Sequence, residues 1–225
     1  MLINRRLFVI GAPLAVAGCA SQPVLGPQAA MVDPRYRAMY GEIDGEPHPV
    51  DPVDLTQIDE KFLRREISYQ SSEAPGTVIV DPSARYAYLI QGGGRAIRYG
   101  VGVGKTEGFN FHGIATIGRK AEWPHWTPTS KMVAREPGRY GPVAAGLVGG
   151  EDNPLGARAL YLYRGGQDSF YRLHGTIEPY SIGTMVSSGC IRFLNQDIID
   201  LYNRVPVGAK VIVRPAHAVV ADADA

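Results

Sequence analysis

Between residues 76 and 214, short runs of β-branched and aromatic residues are cut every few positions by glycine or proline. Residues 77–81 form one such run, Pro82-Ser83 signals a turn, and residues 85–91 form the next; Gly92-Gly93-Gly94 then precedes a third strand over 95–103. Twenty-seven glycines and seventeen prolines in the full chain disfavour long helices, and with its Tyr, Val and Ile content it reads as mainly β. Residues 159–164 and 169–174 make the clearest hairpin, with Gly165-Gly166-Gln167-Asp168 as its turn. Arg172 and His174 share a face of its second strand, because side chains alternate with period two. One helix is predicted near the end, with Asn195 as N-cap and Ile198, Leu201, Tyr202 and Val205 at helical spacing. Pro206 and Gly208 then lead into a closing strand over 210–214.

Residues 1–19 read as a signal peptide: Arg5-Arg6 precede an apolar run over 7–17 that is too short to span a bilayer. Asn4-Arg5-Arg6-Leu7-Phe8-Val9 fits a twin-arginine signal apart from Asn4, and ordinary secretion fits as well. Val16-Ala17-Gly18-Cys19 resembles a lipobox, in which Cys19 would carry acyl chains that anchor the chain to a membrane. Ala20, rather than Asp, after that cysteine points to the outer membrane. Residues 20–75 read as a tether or loosely packed arm, with a short helix over 55–67; residues 76–215 are the folded domain and 216–225 a flexible tail.

The net charge of +1 comes without the long basic runs that would neutralise a phosphate backbone, so nucleic-acid binding has little support and no nucleic-acid partner is expected. Gly102-Val103-Gly104-Lys105-Thr106 lacks the first glycine of a phosphate loop, because Tyr99 stands there. No metal-ligand spacing and no cofactor signature is present. Trp123 and Trp126, in Trp123-Pro124-His125-Trp126-Thr127-Pro128, read either as a clamp over the core or as the wall of a substrate groove.

With Cys19 lipidated, Cys190 is an unpaired thiol in an exported protein, which is either a reactive group or a small buried hydrophobe. Its surroundings, Ser187-Ser188-Gly189-Cys190-Ile191-Arg192, lie shortly after His174-Gly175-Thr176. Cys190 would attack as its thiolate, His174 would carry the proton, and Gly189 would let a reacting carbonyl approach the backbone N–H groups. On this reading the thiol titrates below an ordinary cysteine through an ion pair with His174. Either Glu178 or a backbone carbonyl would orient the imidazole. His48, His112, His125 and His217 compete for the role of base, but none follows a strand with a Gly-Thr pair after it.

These two motifs resemble the signature of the L,D-transpeptidase catalytic domain, the YkuD family. Asn153-Pro154-Leu155-Gly156-Ala157-Arg158, Glu178-Pro179-Tyr180-Ser181-Ile182-Gly183 and the tryptophan segment are similar to stretches seen in its members. The resemblance implies a β-sandwich or barrel-like fold with one short C-terminal helix before the last strand. It also implies a periplasmic enzyme of peptidoglycan stem peptides. Cys190 would cleave the bond after the L-centre of the diamino acid, release D-alanine and hold the stem as a thioester. An amine then resolves it, giving a 3→3 cross-link or an attached wall lipoprotein. Gly189, Arg192, Ser187, Ser188, Gly175, Trp123 and Trp126 would supply oxyanion and substrate contacts; many members have His where this chain has Ser188. Carbapenems would acylate Cys190. A thiol hydrolase of wall cross-links and a non-catalytic wall-binding module are the alternatives.

Overall fold

The computed structural model describes residues 33–104, 111–187 and 189–216. The signal segment with Cys19, Ser188, His217 and most of the tail lie outside the described residues.

Eleven strands among the described residues carry the fold, as the glycine and proline punctuation predicts. Nine of them form one sheet in the order β1 (Arg65–Ser68), β4 (Arg95–Gly100), β3 (Tyr86–Ile90), β2 (Val78–Asp81), β11 (Lys210–Val213), β6 (Gly113–Glu122), β7 (Arg158–Arg164), β8 (Gln167–His174) and β10 (Ile191–Arg192). Two strands, β5 (Val103–Gly104) and β9 (Met185–Ser187), pair separately in parallel. Just past β4, Gly102 and Arg192 exchange two backbone hydrogen bonds of 2.9 Å, so the chain leaving β4 meets the opposite edge strand β10. This partial closure is the barrel-like character anticipated from the sequence, and it satisfies backbone groups that an open edge would leave unpaired.

The inward faces of these strands and of α4 (Asn195–Arg204) enclose one core, in which Val78, Val80, Tyr99, Ile117, Leu160, Leu162, Leu173, Phe193, Ile198 and Leu201 are fully buried. Ile198, Leu201 and Val205 face this core at the predicted helical spacing. Asn195, however, is not the N-cap. Leu194 holds that position, and the Asn195 side chain turns away to other work described below. Three short helices not foreseen in the sequence also appear: α1 (Pro34–Met39), α2 (Ser130–Arg135) and α3 (Pro137–Tyr140). Between the strands assigned from the sequence lies one more, β6, a ten-residue strand that the residue pattern did not announce. Its exposed positions and the register shift between Ile117 and Arg119 blur the alternation that would have announced it.

Residues 33–75 of the arm are packed rather than loose. In place of the helix expected over 55–67 it makes two single 3₁₀ turns, Leu55–Gln57 and Glu60–Phe62, capped by Asp54 and Asp59, and then enters β1. Tyr36, Tyr40, Phe62 and Leu63 of the arm are buried with Ile182 and Leu194, each such side chain contributing about 1.5–3 kcal/mol. Ile182 lies in the loop between β8 and β9 and Leu194 just after β10, so the arm supports the connections on which His174 and Cys190 are mounted. Arg158, only 5% exposed, is held by Glu46 of the arm at 2.5 Å, and Glu46 also accepts a hydrogen bond from Trp123 Nε1 at 3.0 Å. The Arg158 guanidinium holds the Glu46 carboxyl below its usual range. Glu46→Ala leaves a buried guanidinium without a counter-charge and is expected to lower stability by about 3–5 kcal/mol, read from the urea midpoint.

Candidate active site

The β7–β8 hairpin delivers His174 to the end of β8, between β7 and the edge strand β10, where it is 5% exposed. Strand β10 then pairs in parallel with β8, Ile191 opposite Leu173 and Arg192 opposite His174, and Phe193 N–H donates to His174 O at 2.8 Å. Paired residues of a parallel ladder present their side chains on one face, so His174 and Arg192 share a face. Arg172, two before His174 on β8, continues it, and Cys190 lies in the turn directly before β10.

The imidazole is oriented by a backbone carbonyl. Nδ1 of His174 lies 2.6 Å from Gly175 O, and because a carbonyl only accepts, Nδ1 carries the proton and Nε2 keeps its lone pair. Glu178, the other candidate orienter, is engaged elsewhere: it accepts from Arg192 Nη1 at 2.6 Å and lies 3.6 Å from Arg139. Gly175 has no space for a side chain, since a Cβ there would collide with Asn195 Oδ1 and press on Ala157 N. Asn195 Oδ1 in turn accepts from Ala157 N–H at 3.1 Å and from Thr176 N–H at 3.3 Å, fastening the loop after His174 to the start of β7. This residue was missed as a site element because its position at the head of a helix suggested capping alone.

Cys190 is half-buried, and its Sγ donates towards Phe170 O at 4.0 Å while accepting from the Arg172 backbone N–H. Its turn is built by Ser187, whose Oγ donates to Cys190 O at 2.7 Å and accepts from Gly189 N–H at 3.1 Å. Gly189 sits at φ 124°, a left-handed conformation that strains any residue with a Cβ. Ser187 is buried, so its hydroxyl and the Gly189 N–H are committed to the turn.

The expected thiolate–imidazolium pair is corrected here. Burial pushes the Cys190 thiol above its ordinary value, outweighing the opposing influence of Arg172 and Arg192. Burial, with the Arg192 guanidinium and a smaller contribution from Arg172, pushes His174 down to about 3. Charge separation in a poorly solvated site is costly for both partners, so the resting pair is neutral thiol and neutral imidazole.

Trp123 and Trp126 lie in the long connection from β6 to β7. Trp123 is fixed by Glu46 and by His48, which packs edge-on with 4.9 Å between ring centres; Trp126 is bridged to Leu147 and lies 6.1 Å from the Tyr140 ring. Trp123, Pro52, Glu151, Thr176, Ile177 and Asn195 are among the residues lining a cleft of about 340 Å³, whose walls include neither His174 nor Cys190. Of the rival histidines, His48 serves this packing and His125 is exposed beside Thr127. Among the described residues no group of three His, Cys, Asp or Glu side chains is arranged to hold a metal.

A family model described as the L,D-transpeptidase catalytic domain, YkuD, matches residues 75–213. The chain is 36% identical over 137 residues to the probable L,D-transpeptidase YbiS of Escherichia coli K12, covering 60% of this chain and 43% of that protein. It is 41% identical over 98 residues to the probable L,D-transpeptidase ErfK/SrfK of the same organism, covering 44% and 30%. It therefore spans less than half the length of these relatives. A solved structure from Brucella melitensis, described as a probable carnitine operon oxidoreductase, is 44% identical with a TM-score of 0.48, covering 71% of this chain and 98% of that one. With more than half of its length matched, this chain belongs to the YkuD family of L,D-transpeptidase catalytic domains.

Proposed function

We propose that the domain is a cysteine L,D-transpeptidase of peptidoglycan stem peptides. The observation that carries this reading is the tautomer of His174: with Nδ1–H held by Gly175 O, Nε2 is an unprotonated base at the end of β8, whose neighbouring strand β10 begins directly after Cys190. As Sγ attacks the peptide carbonyl after the L-centre of the diamino acid, its proton passes to Nε2. The Cys190 N–H receives the developing oxyanion, with Gly189 keeping that approach clear. The C–N bond breaks, Nε2 returns the proton to the leaving amine of D-alanine, and a thioester remains. An incoming amine, deprotonated by the same Nε2, then takes the acyl group and releases the thiol. A neutral resting pair suits this sequence, because charge develops only when substrate has arrived to compensate it.

Arg192, braced by Glu178, is placed to attract a substrate carboxylate, while Ser187 acts by shaping the turn under Cys190. Gly175 permits the tight loop after the base, and Ser188 and the two tryptophans would contribute further substrate contacts. Export, with a lipid anchor at Cys19 that holds the enzyme beside its polymeric substrate, completes the proposal.

Incubation of the soluble domain with purified muropeptides and a D-amino acid is expected to yield exchanged or cross-linked products together with free D-alanine. Cleavage without new amide bonds would instead identify a hydrolase. An unreactive thiol and unchanged muropeptides would reduce the domain to a wall-binding module.

A further inference from the structure

Strand β8 is interrupted beside the nucleophile. Arg172 pairs with Tyr161 and Asp168 with Tyr163, so three residues of β8 stand opposite the single Leu162 of β7. The bulge is built by side chains. Ser169 Oγ donates to Leu162 O at 2.6 Å, and Phe170, 77% exposed, adopts φ 63°, uncommon for a residue with a Cβ. Asp168 closes it: Oδ1 accepts from Phe170 N–H at 2.8 Å and from Arg172 Nη1 at 2.7 Å, while Oδ2 accepts from Arg172 Nη2 at 2.8 Å. The Arg172 guanidinium is held a third way, 4.1 Å from the Tyr161 ring centre. One consequence reaches the sulfur directly, because the Phe170 carbonyl and the Arg172 N–H are the two backbone groups that meet Cys190 Sγ.

We propose that Arg172 is a positioning residue for the nucleophile, its guanidinium fixed by Asp168 so that a positive charge favours the Cys190 thiolate as it forms, with Asp168 limiting that effect. The proposal rests on Cys190 being the nucleophile but not on the identity of the acyl donor or acceptor. The guanidinium is also held by the Tyr161 ring and by Tyr171 O, which accepts from Nη1 at 2.9 Å, so it keeps its place when Asp168 loses its charge. The charged and titratable groups around Cys190, among the described residues, are Asp168, Arg172 and His174 of β8 and Arg192 of β10, the last balanced by Glu178 and, behind it, Arg139. Tyr161 of β7 lies beneath Arg172 and also carries Arg119 of β6 on its ring. Arg172 and Arg192 favour the thiolate, and Asp168 disfavours it.

The two halves of this ion pair therefore make opposite predictions, which a pair serving only the fold would not. In the full domain, alkylation of Cys190 by iodoacetamide is followed by intact mass across pH, alongside thermal unfolding. Arg172→Gln is expected to slow alkylation at neutral pH by roughly three- to tenfold, with the rate restored at high pH where the thiol ionises unaided. Asp168→Asn, which keeps an oxygen for the Phe170 N–H, is expected to speed it by a similar factor. Arg172→Lys should lie nearer wild type than Arg172→Gln. Changes of the same sign in Arg172→Gln and Asp168→Asn, or no change in the folded variants, overturn the proposal. If Arg172→Gln does not fold, Asp168→Asn decides alone: faster alkylation supports the assignment, and unchanged or slower alkylation defeats it. Because alkylation reports sulfur ionisation without any acyl transfer, a failed muropeptide reaction and a failed result here remain distinguishable.

Discussion

Cys190→Ala is expected to lower acyl transfer on muropeptides by roughly 10⁴-fold or more and to abolish the covalent adduct with a carbapenem. The size follows from the chemistry: without sulfur no thioester can form, and no other thiol occurs among the described residues. The fold should survive. The side chain is small and half-buried, and the turn beneath it is held by Ser187 through the Cys190 carbonyl and the Gly189 N–H, neither of which the substitution removes. Melting temperature should therefore stay within a few degrees of wild type while activity disappears. A folded Cys190→Ala protein that retained a tenth of the activity would falsify the nucleophile assignment.

His174→Ala is expected to slow acylation by about 10²–10⁴-fold at neutral pH while leaving alkylation of Cys190 by iodoacetamide nearly unchanged. The two readouts separate a base that acts during attack from an ion pair that exists beforehand; only the latter would make alkylation depend on His174. The pH profile adds a sign. With His174 held down to about 3, Nε2 stays unprotonated throughout the range in which an ordinary histidine would protonate, so wild-type acylation should show no imidazole limb between pH 7 and 5. Stability carries the same asymmetry. The unfolded chain binds a proton at this residue below about 6.5 and the native chain does not, so wild type loses stability as pH falls from there towards 3, and His174→Ala lacks that component. Asp197 acts in the opposite direction: burial raises it to about 7, so the native state binds the extra proton and its contribution fades as pH rises from about 4 to 7. A comparison of wild type with His174→Ala isolates the histidine contribution, since Asp197 is common to both. An acid limb near 6.5 in acylation would contradict the neutral-pair reading.

The parts of this fold legible in the sequence are those with strong local patterns. Strands β2, β3, β7, β8 and β11 declare themselves by β-branched and aromatic runs between turn residues, and Ile198, Leu201 and Val205 declare α4 by spacing. Strand β6 was obscured because its apolar positions are few and its register shifts partway. The arm was obscured differently: Tyr36, Tyr40, Phe62 and Leu63 are isolated anchors among prolines and charges, and no short window shows that they converge. Cys190 and His174 could be named because motif and strand end coincide. Their protonation could not, since it depends on burial by residues distant in sequence. Arg172 was visible on the His174 face, but its grip on Asp168 requires the bulge, which period-two alternation does not foresee.

The buried pairing of Glu46 with Arg158 also bears on where this domain can be cut. The matched family segment starts at residue 75, yet a piece trimmed to that boundary would lose the partner of the Arg158 guanidinium, the acceptor for Trp123 Nε1 and the arm's half of the cluster around Ile182 and Leu194. The packed residues of the arm begin instead with helix α1 (Pro34–Met39). For this chain, the stretch that carries the family's signature is shorter than the stretch that packs together, and recombinant boundaries belong ahead of Tyr36.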